Sequence, residues 1–250
     1  YADHRDLHSF HTRRSSDLGG NLNIGQSVKE ILPVKEGFIV RSHQKVEWQA
    51  GKIISTIHPR ETIAMVPPGS LPRAYCKRLN SLADYCGAFI LFIGLKPGLF
   101  RYPHYNYYYH RSYEPWLPEP SRPDDWPHMF LLTAGCDVAG QEYATTLTVM
   151  TYMDFSMVAP WKNTETGHRG DEYEHFKESM KEKLLTLVAG RFPDLPGAID
   201  RIWISTPLTF RDYTGTPEGS LYGIRRIANV AQTSFRSEER RVGKECRSRW

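Results

Sequence analysis

The chain has 250 residues, of which 40% are hydrophobic and 24% are charged, and its formal net charge is +4 at pH 7. This length accommodates one or two domains with a hydrophobic core, since domains usually span about 100–200 residues. The longest apolar run, residues 87–95, is much shorter than the ~20 residues that a helix needs to cross a bilayer. The sequence therefore predicts no membrane-spanning helix.

The two ends of the chain differ in character from its middle. Residues 236–250 resemble the in-frame translation of a sequencing adapter, and residues 1–18 resemble the other strand of that adapter. If residues 13–17 are encoded by CGA CGC TCT TCC GAT, the reverse complement read in a shifted frame encodes residues 236–241. We therefore expect both ends to be adapter-derived and leave them out of fold reasoning. A natural basic tail that binds nucleic acid is the alternative.

This expectation changes the charge argument. Residues 236–250 carry a net charge of +3 and residues 1–18 carry none, so +1 of the total +4 remains for the middle of the chain. Such a balance does not predict a nucleic-acid partner. Three cysteines remain, Cys76, Cys86 and Cys136, and this odd count without short spacing predicts reduced thiols in a cytoplasmic protein.

The first part of the middle region predicts short strands. Residues 26–57 hold two β-prone runs, residues 38–40 and residues 46–48, on either side of a turn. A further strand is predicted at Ile53-Ile54, leading into a proline-terminated corner at residues 56–59. This pattern indicates a small hairpin-based sheet.

The next elements alternate between apolar runs and a polar, proline-rich segment. A helix is predicted over residues 79–85 and a buried strand over residues 88–95. Residues 101–128 hold many Tyr and Pro residues and predict a long ordered loop with extended segments. Strands are predicted at residues 130–133 and 145–152, the second from its alternation of apolar side chains.

Residues 171–188 give the clearest helical pattern. Five apolar side chains recur at spacings of three and four, while the opposite face is charged. Gly190 is expected to end this helix in a left-handed conformation, and Pro193 prevents its continuation. A helix with one charged face is expected to pack against a sheet, so the fold class is predicted to be mixed α+β.

Common metal and phosphate signatures are absent from the sequence, which contains no Cys-x-x-Cys, His-Glu-x-x-His or phosphate-binding loop motif. His104 and His110 have no third ligand nearby, so local hydrogen bonding is their expected role and no metal is predicted. Asp124 and Asp125 predict a solvated turn.

Two motifs point to one enzyme family. The first is the strand Ile202-Trp203-Ile204 followed by Thr206-Pro-Leu-Thr-Phe-Arg-Asp-Tyr-Thr-Gly-Thr-Pro-Glu-Gly-Ser-Leu-Tyr-Gly223, expected to be a turn-rich loop. The second is Gly19-Gly20 with Val28-Lys-Glu-Ile31, a hairpin, and Lys52-Ile-Ile-Ser-Thr-Ile-His-Pro59. The second motif precedes the first along the chain. In that order the two motifs resemble the carotenoid isomerase, phytoene desaturase and retinol saturase family of FAD-dependent enzymes.

The resemblance implies a fold and its division into domains. Residues 19–60 would belong to a Rossmann-like FAD/NAD(P)-binding domain, residues 61–200 to a substrate-binding domain with an antiparallel or mixed sheet and packed helices, and residues 201–235 would return to the FAD domain. The family's Gly-x-Gly-x-x-Gly fingerprint, which cradles the pyrophosphate, does not occur in the sequence. We therefore expect an internal fragment whose FAD domain is incomplete and which alone binds FAD poorly.

Site residues follow from the same resemblance. Four residues are implied for contact with FAD: Val28, Ser55, Thr56 and His58. Five residues are implied for contact with a hydrophobic polyene: Tyr105, Tyr107, Tyr213, Glu218 and Tyr222. The alternatives are an ordinary hairpin and a proline-terminated strand for the first set, and core and surface packing in a sheet for Tyr105 and Tyr107. Arg211 and Asp212 are also candidates, and the alternative is that they pair with each other or with the backbone. No catalytic acid or base is predicted.

The resemblance implies oxidoreduction at a C–C double bond of a polyene or isoprenoid, with FAD as the cofactor. Whether NAD(P) is a second cofactor stays open. The cofactor would carry the chemistry and the protein would orient the substrate. Peripheral contact with a membrane surface stays open. A non-catalytic lipid- or isoprenoid-binding module is the alternative, and a small-amine flavin oxidase a weaker one, since it would lack the Thr-Pro to Tyr-Gly motif.

Overall fold

The structure is a computed structural model that describes residues 19–114, 122–137, 140 and 142–225. The chain divides into two compact units between Lys77 and Arg78. The predicted adapter-derived ends lie outside the described residues. The functional domain boundaries predicted above remain predictions.

The first unit contains a three-stranded antiparallel sheet in the order β1-β2-β3. Its strands are β1 (Val28–Val34), β2 (Gly37–Ser42) and β3 (Glu47–Ala50). Gly37 begins β2 with φ +103°, and a Cβ there would lie 2.4 Å from the carbonyl oxygen of Ala50, so only glycine fits this turn. The predicted hairpin is confirmed.

The segment after β3 differs from the prediction. Ile53-Ile54 does not form a strand, and helix α1 (Pro59–Ala64) follows instead of a strand ending in His-Pro. Pro59 occupies the first turn of the helix, where its missing N–H costs no hydrogen bond. The prediction was wrong because the β-prone sequence finds no partner strand, and Ile54 is 92% exposed.

Helix α2 (Arg73–Ser81) carries the chain across the division between the two units. The helix predicted over residues 79–85 therefore exists but lies several residues earlier. It ends before the chain enters the extended segment 83–86, whose backbone bonds to residues 221–225. This pairing could not be read from local sequence.

The second unit is built on a five-stranded antiparallel sheet in the order β5-β6-β7-β4-β8. Its strands are β4 (Gly87–Leu95), β5 (Tyr107–His110), β6 (Met129–Gly135), β7 (Thr146–Met153) and β8 (Ile199–Ser205). The strands predicted at 88–95, 130–133 and 145–152 are confirmed. The apolar β4 lies between β7 and β8, as expected for the most buried strand.

One face of this sheet forms the hydrophobic core together with helix α3 (Asp171–Ala189). Leu91, Val149 and Leu132 lie on this face and are fully buried in one cluster with Met180 and Leu184 of α3. The helix predicted over residues 171–188 is confirmed, with its apolar side in the core. We call this side of the sheet the core face.

The end of α3 corrects one detail. Gly190 has φ −62°, in the right-handed helical region, so it is not the left-handed terminator that was expected. The N–H groups of Arg191 and Phe192 still bond to the Val188 carbonyl oxygen, so the chain turns over without a left-handed residue. Helix α4 (Leu195–Ala198) then leads into β8.

The motif after β8 is more regular than predicted. Residues 206–223 were expected to be a turn-rich loop, yet helix α5 (Pro207–Thr214) occupies its first half. Thr206 and Thr209 form a reciprocal capping box, and Pro207 lies at the first position of the helix. Gly215, with φ +67°, ends the helix. The Thr-Pro pair is thus a helix start signal.

The fold is mixed α and β with antiparallel sheets, which agrees with the predicted α+β class at that level. The Rossmann-like assignment of the first unit remains a prediction. Among the described residues, no helix combines the length and apolar character required to span a bilayer.

Candidate functional site

The second face of the five-stranded sheet is apolar but incompletely covered. Side chains alternate along β4, so Leu91 points into the core while its neighbour Phe92 points to the opposite side and is 44% exposed. Phe92 pairs with Thr148 of β7 and Trp203 of β8, which places all three on the same side. We call this side the outer face.

The outer face carries further large apolar side chains. Ile90, Met150 and Leu131 occupy adjacent strands in register, and Tyr108 of β5 pairs with Leu131 at the edge. Trp203 is 56% exposed and Tyr108 is 60% exposed. Ile90, which lies between them, is only 8% exposed. Exposed aromatic side chains on one face of a sheet make that face a candidate binding surface.

Three tyrosines meet at one end of the outer face, and we call them the phenol cluster: Tyr85, Tyr152 and Tyr222. The ring centroid of Tyr152 lies 5.8 Å from that of Tyr85 and 6.4 Å from that of Tyr222, and the other two are 5.6 Å apart. All three contacts are edge-to-face, the arrangement that aromatic quadrupoles favour. Burial, together with the neighbouring Tyr222 phenol, raises the pKa of Tyr152 above its ordinary value.

The Thr-Pro to Tyr-Gly motif brings Tyr222 to this cluster. Gly219 packs so closely on Pro207 that a Cβ would lie 1.8 Å from the Pro207 carbonyl oxygen. Beyond it, the Tyr85 N–H bonds to the Gly223 carbonyl oxygen at 2.8 Å, and the Leu221 N–H bonds to the oxygen of Cys86 at 3.1 Å. The motif is thus a compact turn whose glycine permits backbone contact and whose tyrosine lies beside Tyr152.

Arg211 and Asp212 of the motif take part in a network of ion pairs. Asp212 forms ion pairs with Arg169 and Arg211, and the Arg169 side chain is only 5% exposed. Arg169 also donates to the Thr164 carbonyl oxygen at 2.8 Å and lies over the ring of Tyr173. This network ties α5 to the segment before α3, so the alternative of mutual pairing holds for Arg211 and Asp212.

Burial would raise the pKa of Asp212, but hydrogen bonds from Thr166 and Arg211 and the positive charges of Arg211 and Arg169 outweigh it. The pKa of Asp212 therefore lies below its ordinary value. The carboxylate stays ionised over the physiological pH range, which suits a structural ion pair rather than proton transfer.

The structure distributes the five predicted substrate residues over several places. Tyr222 lies in the phenol cluster, while Tyr107 packs on the core side against Phe130 and Phe192. Tyr105 is 59% exposed, and Tyr213 is exposed on α5. Glu218 is exposed and adopts a left-handed φ of +53°, uncommon for a residue with a side chain. Only Tyr222 is thus joined to the outer face by contacts described here.

The four predicted FAD residues all lie in the first unit. Val28 begins β1, which is an edge strand of the sheet. Backbone N–H and C=O groups on the outer side of β1 therefore point away from β2. The Ser55 hydroxyl lies 2.6 Å from that of Thr62, and Nδ1 of His58 accepts from the Arg60 N–H at 3.2 Å. Thr56 is exposed.

This donor set fits FAD only in part. The β1 edge and the Thr56 hydroxyl are of the kind that binds adenine and ribose. The Ser55 hydroxyl is instead bonded to that of Thr62, and the His58 side chain caps α1. The sequence also lacks the glycine turn that cradles a pyrophosphate.

Other candidate sites are weaker. Within the described ranges, no group of three or more His, Cys, Asp or Glu side chains could hold a metal ion. Asp124 is almost fully exposed and lies 3.6 Å from the ammonium group of Lys183. A groove of about 790 Å³ borders α3, but Arg111, Lys183 and Arg191 line it, so it does not suit a hydrocarbon.

Sequence reasoning missed four residues of this site: Tyr85, Phe92, Tyr152 and Trp203. One signal was present. The run Gly87–Leu95 is apolar at both odd and even positions, which indicates a strand that places apolar side chains on both faces. The length and apolar character of the run by themselves predict only a buried strand. The contact of Tyr85 with Tyr222, which is far away in sequence, left no local signal.

The chain is similar to curated vertebrate enzymes. It is 32% identical over 82 residues to all-trans-retinol 13,14-reductase of Homo sapiens, which covers 31% of this chain and 13% of that protein. The same enzyme of Rattus norvegicus is 28% identical over 98 residues, or 38% and 16% of the two chains. The Danio rerio enzyme is 28% identical over 79 residues, which is 32% of this chain and 13% of that protein. The matches thus span about one sixth or less of these relatives' length.

Two further comparisons add little. No model of a known protein family matches the chain. A crystal structure of a Pyrococcus furiosus protein aligns with 78% of this chain and 40% of that chain at a TM-score of 0.41 and 16% sequence identity. A likeness at this level does not establish a shared fold.

Proposed function

We propose that the chain is part of a retinol saturase-like oxidoreductase that acts on C–C double bonds of a long isoprenoid or polyene. The observation that carries the proposal is the similarity to all-trans-retinol 13,14-reductase in three vertebrates, at 28–32% identity over 79–98 residues. A hydrophobic polyene as substrate is consistent with these relatives. The finer assignment to saturation, desaturation or isomerisation is not part of the proposal.

The outer face supports this assignment because it offers a flat apolar surface to an extended hydrocarbon. A diagonal across this face joins Tyr152 of β7 to Trp203 of β8. It covers four residues along β7, from Tyr152 to Thr148, and then two strand spacings, from Thr148 through Phe92 to Trp203. Strand spacing and rise make this diagonal about 16 Å long. An isoprenoid chain lying along it would contact the exposed Phe92 and Trp203 and bury its own apolar surface, which drives binding.

In the proposed enzyme, FAD supplies the hydride or electron exchange at the double bond when it is bound. The β1 edge at Val28 and the Thr56 hydroxyl are the groups of this chain that would approach its adenosine part. The side chains of the outer face would hold the polyene and exclude water from it.

The alternative is a non-catalytic isoprenoid-binding module. The apolar outer face can bind a hydrocarbon without a flavin, and the sequence holds no Gly-x-Gly-x-x-Gly. The two functions differ in what the complete gene product does, since only the enzyme requires a glycine turn after an apolar strand upstream of Gly19.

The test measures flavin and product together. The complete gene product is expected to purify with FAD, recognised by its visible absorbance, and to convert all-trans-retinol under reducing conditions into a product with one double bond fewer or shifted. The present chain is expected to bind retinol but to retain little FAD. Binding of retinol by a complete gene product that carries no flavin would support the module instead and contradict the enzyme.

A further inference from the structure

Strand β8 lies at one end of the five-stranded sheet, with β4 on one side and no strand among the described residues on the other. In the described part of the chain, no backbone hydrogen bond outside the ladder with β4 reaches β8. We call this unpaired side of β8 the open edge. Unpaired N–H and C=O groups on such an edge can pair with a strand of another chain.

The bonds of β4 show which groups of β8 point to the open edge. The Leu95 N–H bonds to the Thr145 carbonyl oxygen at 3.0 Å, on the β7 side of β4. Backbone groups alternate between the two sides of a strand, so the even-numbered residues of β4 bond to β8. Trp203 pairs with one of these residues and therefore directs its N–H and C=O groups toward β4. The N–H and C=O groups of Ile202 and Ile204 thus point to the open edge.

The side chains in the centre of β8 are apolar. Ile202 and Ile204 pack against the core and are only partly buried, while Trp203 is 56% exposed on the outer face. The charges of β8 are confined to Asp200 and Arg201, at the end where its pairing with β4 is irregular. Charged side chains are one means by which edge strands avoid association, and residues 202–205 carry none.

From this arrangement we propose that β8 pairs antiparallel with β8 of a second copy of this chain, about a two-fold axis at Trp203. Ile202 of each copy then lies opposite Ile204 of the other, and each such pair exchanges its free N–H and C=O groups. The interface is isologous, since the same strand serves both copies. The outer faces of the two copies lie on the same side and form one continuous surface. The inference does not depend on the proposed function.

The side chains favour this register over the neighbouring ones. With the axis at Trp203, Arg201 lies opposite Ser205, so polar residues meet polar residues, and the two Trp203 rings can contact each other. An axis at Arg201 would place two like charges directly opposite each other, which is destabilising. An axis at Ile202 would place the Asp200 carboxylate opposite an isoleucine of the second copy.

Disulfide cross-linking tests the register. In Trp203→Cys the two introduced residues would form a non-hydrogen-bonded pair with Cα atoms about 4.5 Å apart, within the range of a disulfide. In the matched variant Arg201→Cys, the two thiols would be offset by four residues, or about 13 Å, which is too far. After mild oxidation we expect a covalent dimer for Trp203→Cys and only the wild-type background for Arg201→Cys. A dimer of Arg201→Cys, or of neither variant, would overturn the inference.

Sedimentation equilibrium tests the association without cross-linking. The contact is small, so the wild-type chain is expected to exchange reversibly between monomer and dimer. Trp203→Lys loses the aromatic pair and places like charges opposite each other, so we expect the dimer to weaken by about 10-fold. Phe92→Lys alters the same face one strand away from the edge and should stay within about 2-fold of wild type. Circular dichroism checks that both variants are folded.

Two outcomes of the sedimentation experiment would contradict the pairing. A wild-type chain that stays monomeric at every concentration would show that β8 does not recruit a second copy. Equal weakening by Trp203→Lys and Phe92→Lys would show that the copies meet through their outer faces rather than through the open edge. Neither outcome would affect the proposed function, which is tested by flavin content and product.

Discussion

The two faces of the five-stranded sheet use the same kinds of residue for opposite purposes. Leu91 and Phe92 are consecutive in β4, yet Leu91 is fully buried against α3 whereas Phe92 is 44% exposed on the outer face. On the core face, apolar side chains stabilise the unit by leaving water. On the outer face, similar apolar side chains remain in contact with solvent. Folding of the unit does not require this exposure.

This difference separates stability from binding within one strand. A core residue contributes to the free energy of unfolding in the absence of any ligand. A residue of the outer face contributes mainly when a ligand covers it. Substitutions on the two faces should therefore give opposite patterns in unfolding and binding experiments.

The largest expected effect comes from truncating the core face. Leu91→Ala is expected to lower the free energy of unfolding by about 3–4 kcal/mol, because it removes buried methyl groups and leaves a cavity. Phe92→Ala, its matched partner, is expected to cost about 1 kcal/mol or less. Urea unfolding monitored by circular dichroism measures both. Equal costs for the two variants would show that the outer face is covered in solution.

Next in size is the close contact that positions the motif. Gly219→Ala is expected to destabilise the second unit by about 3 kcal/mol, because the new Cβ would collide with the Pro207 carbonyl oxygen. Gly215→Ala is the control: Gly215 is also left-handed, with φ +67°, but a Cβ there meets no atom within 4 Å. Its expected cost is about 1 kcal/mol. Thermal unfolding distinguishes them, and similar costs would argue against the packed turn.

The ion pair of Asp212 gives an intermediate effect that depends on pH. Asp212→Asn is expected to cost about 2 kcal/mol near neutral pH, since it leaves the buried Arg169 without its charge partner. Because the pKa of Asp212 is lower in the folded state, its contribution is present above the ordinary value of about 4. It is lost as the pH falls through the folded-state pKa.

The pH dependence of unfolding in wild type and Asp212→Asn checks this account. The two curves should converge in acid, below the folded-state pKa, and separate above it. A constant difference at every pH would show that Asp212 acts through something other than its charge.

The smallest effect concerns Glu218, whose left-handed backbone is a local strain in the turn before Tyr222. Glu218→Gly is expected to raise the stability by about 0.5 kcal/mol because glycine adopts this φ without steric cost. Glu218→Ala keeps the strain and should leave stability unchanged. A gain in melting temperature for the alanine variant would point to the side chain rather than the backbone.

The elements that could be predicted from the sequence are those specified by local patterns. Helix α3 follows from apolar residues at spacings of three and four, and β7 follows from strict alternation. Wrong predictions arose where a partner decides the structure: Ile53-Ile54 is β-prone but pairs with no strand, and the Thr206-Pro207 pair was read as a loop although it starts a helix. Gly190 shows that a terminal glycine need not be left-handed.

The candidate site could be predicted only in part, for a similar reason. Tyr222 was indicated by the motif, but its contacts with Tyr85 and Tyr152 depend on backbone pairing between segments far apart in sequence. Tyr107 was expected beside a polyene, and the pleat of β5 turns it to the core side while Tyr108 points to the outer face. Whether the four residues of the first unit contact FAD stays a prediction.

The most direct test of the central claim measures retinol binding on the outer face. The double variant Phe92→Ala/Trp203→Ala is compared with wild type and with Ile54→Ala, which removes an equally apolar, exposed side chain from the first unit. Loss of two large contacts predicts at least about 10-fold weaker binding for the double variant and no change for Ile54→Ala. An unchanged dissociation constant in a folded double variant would contradict the account.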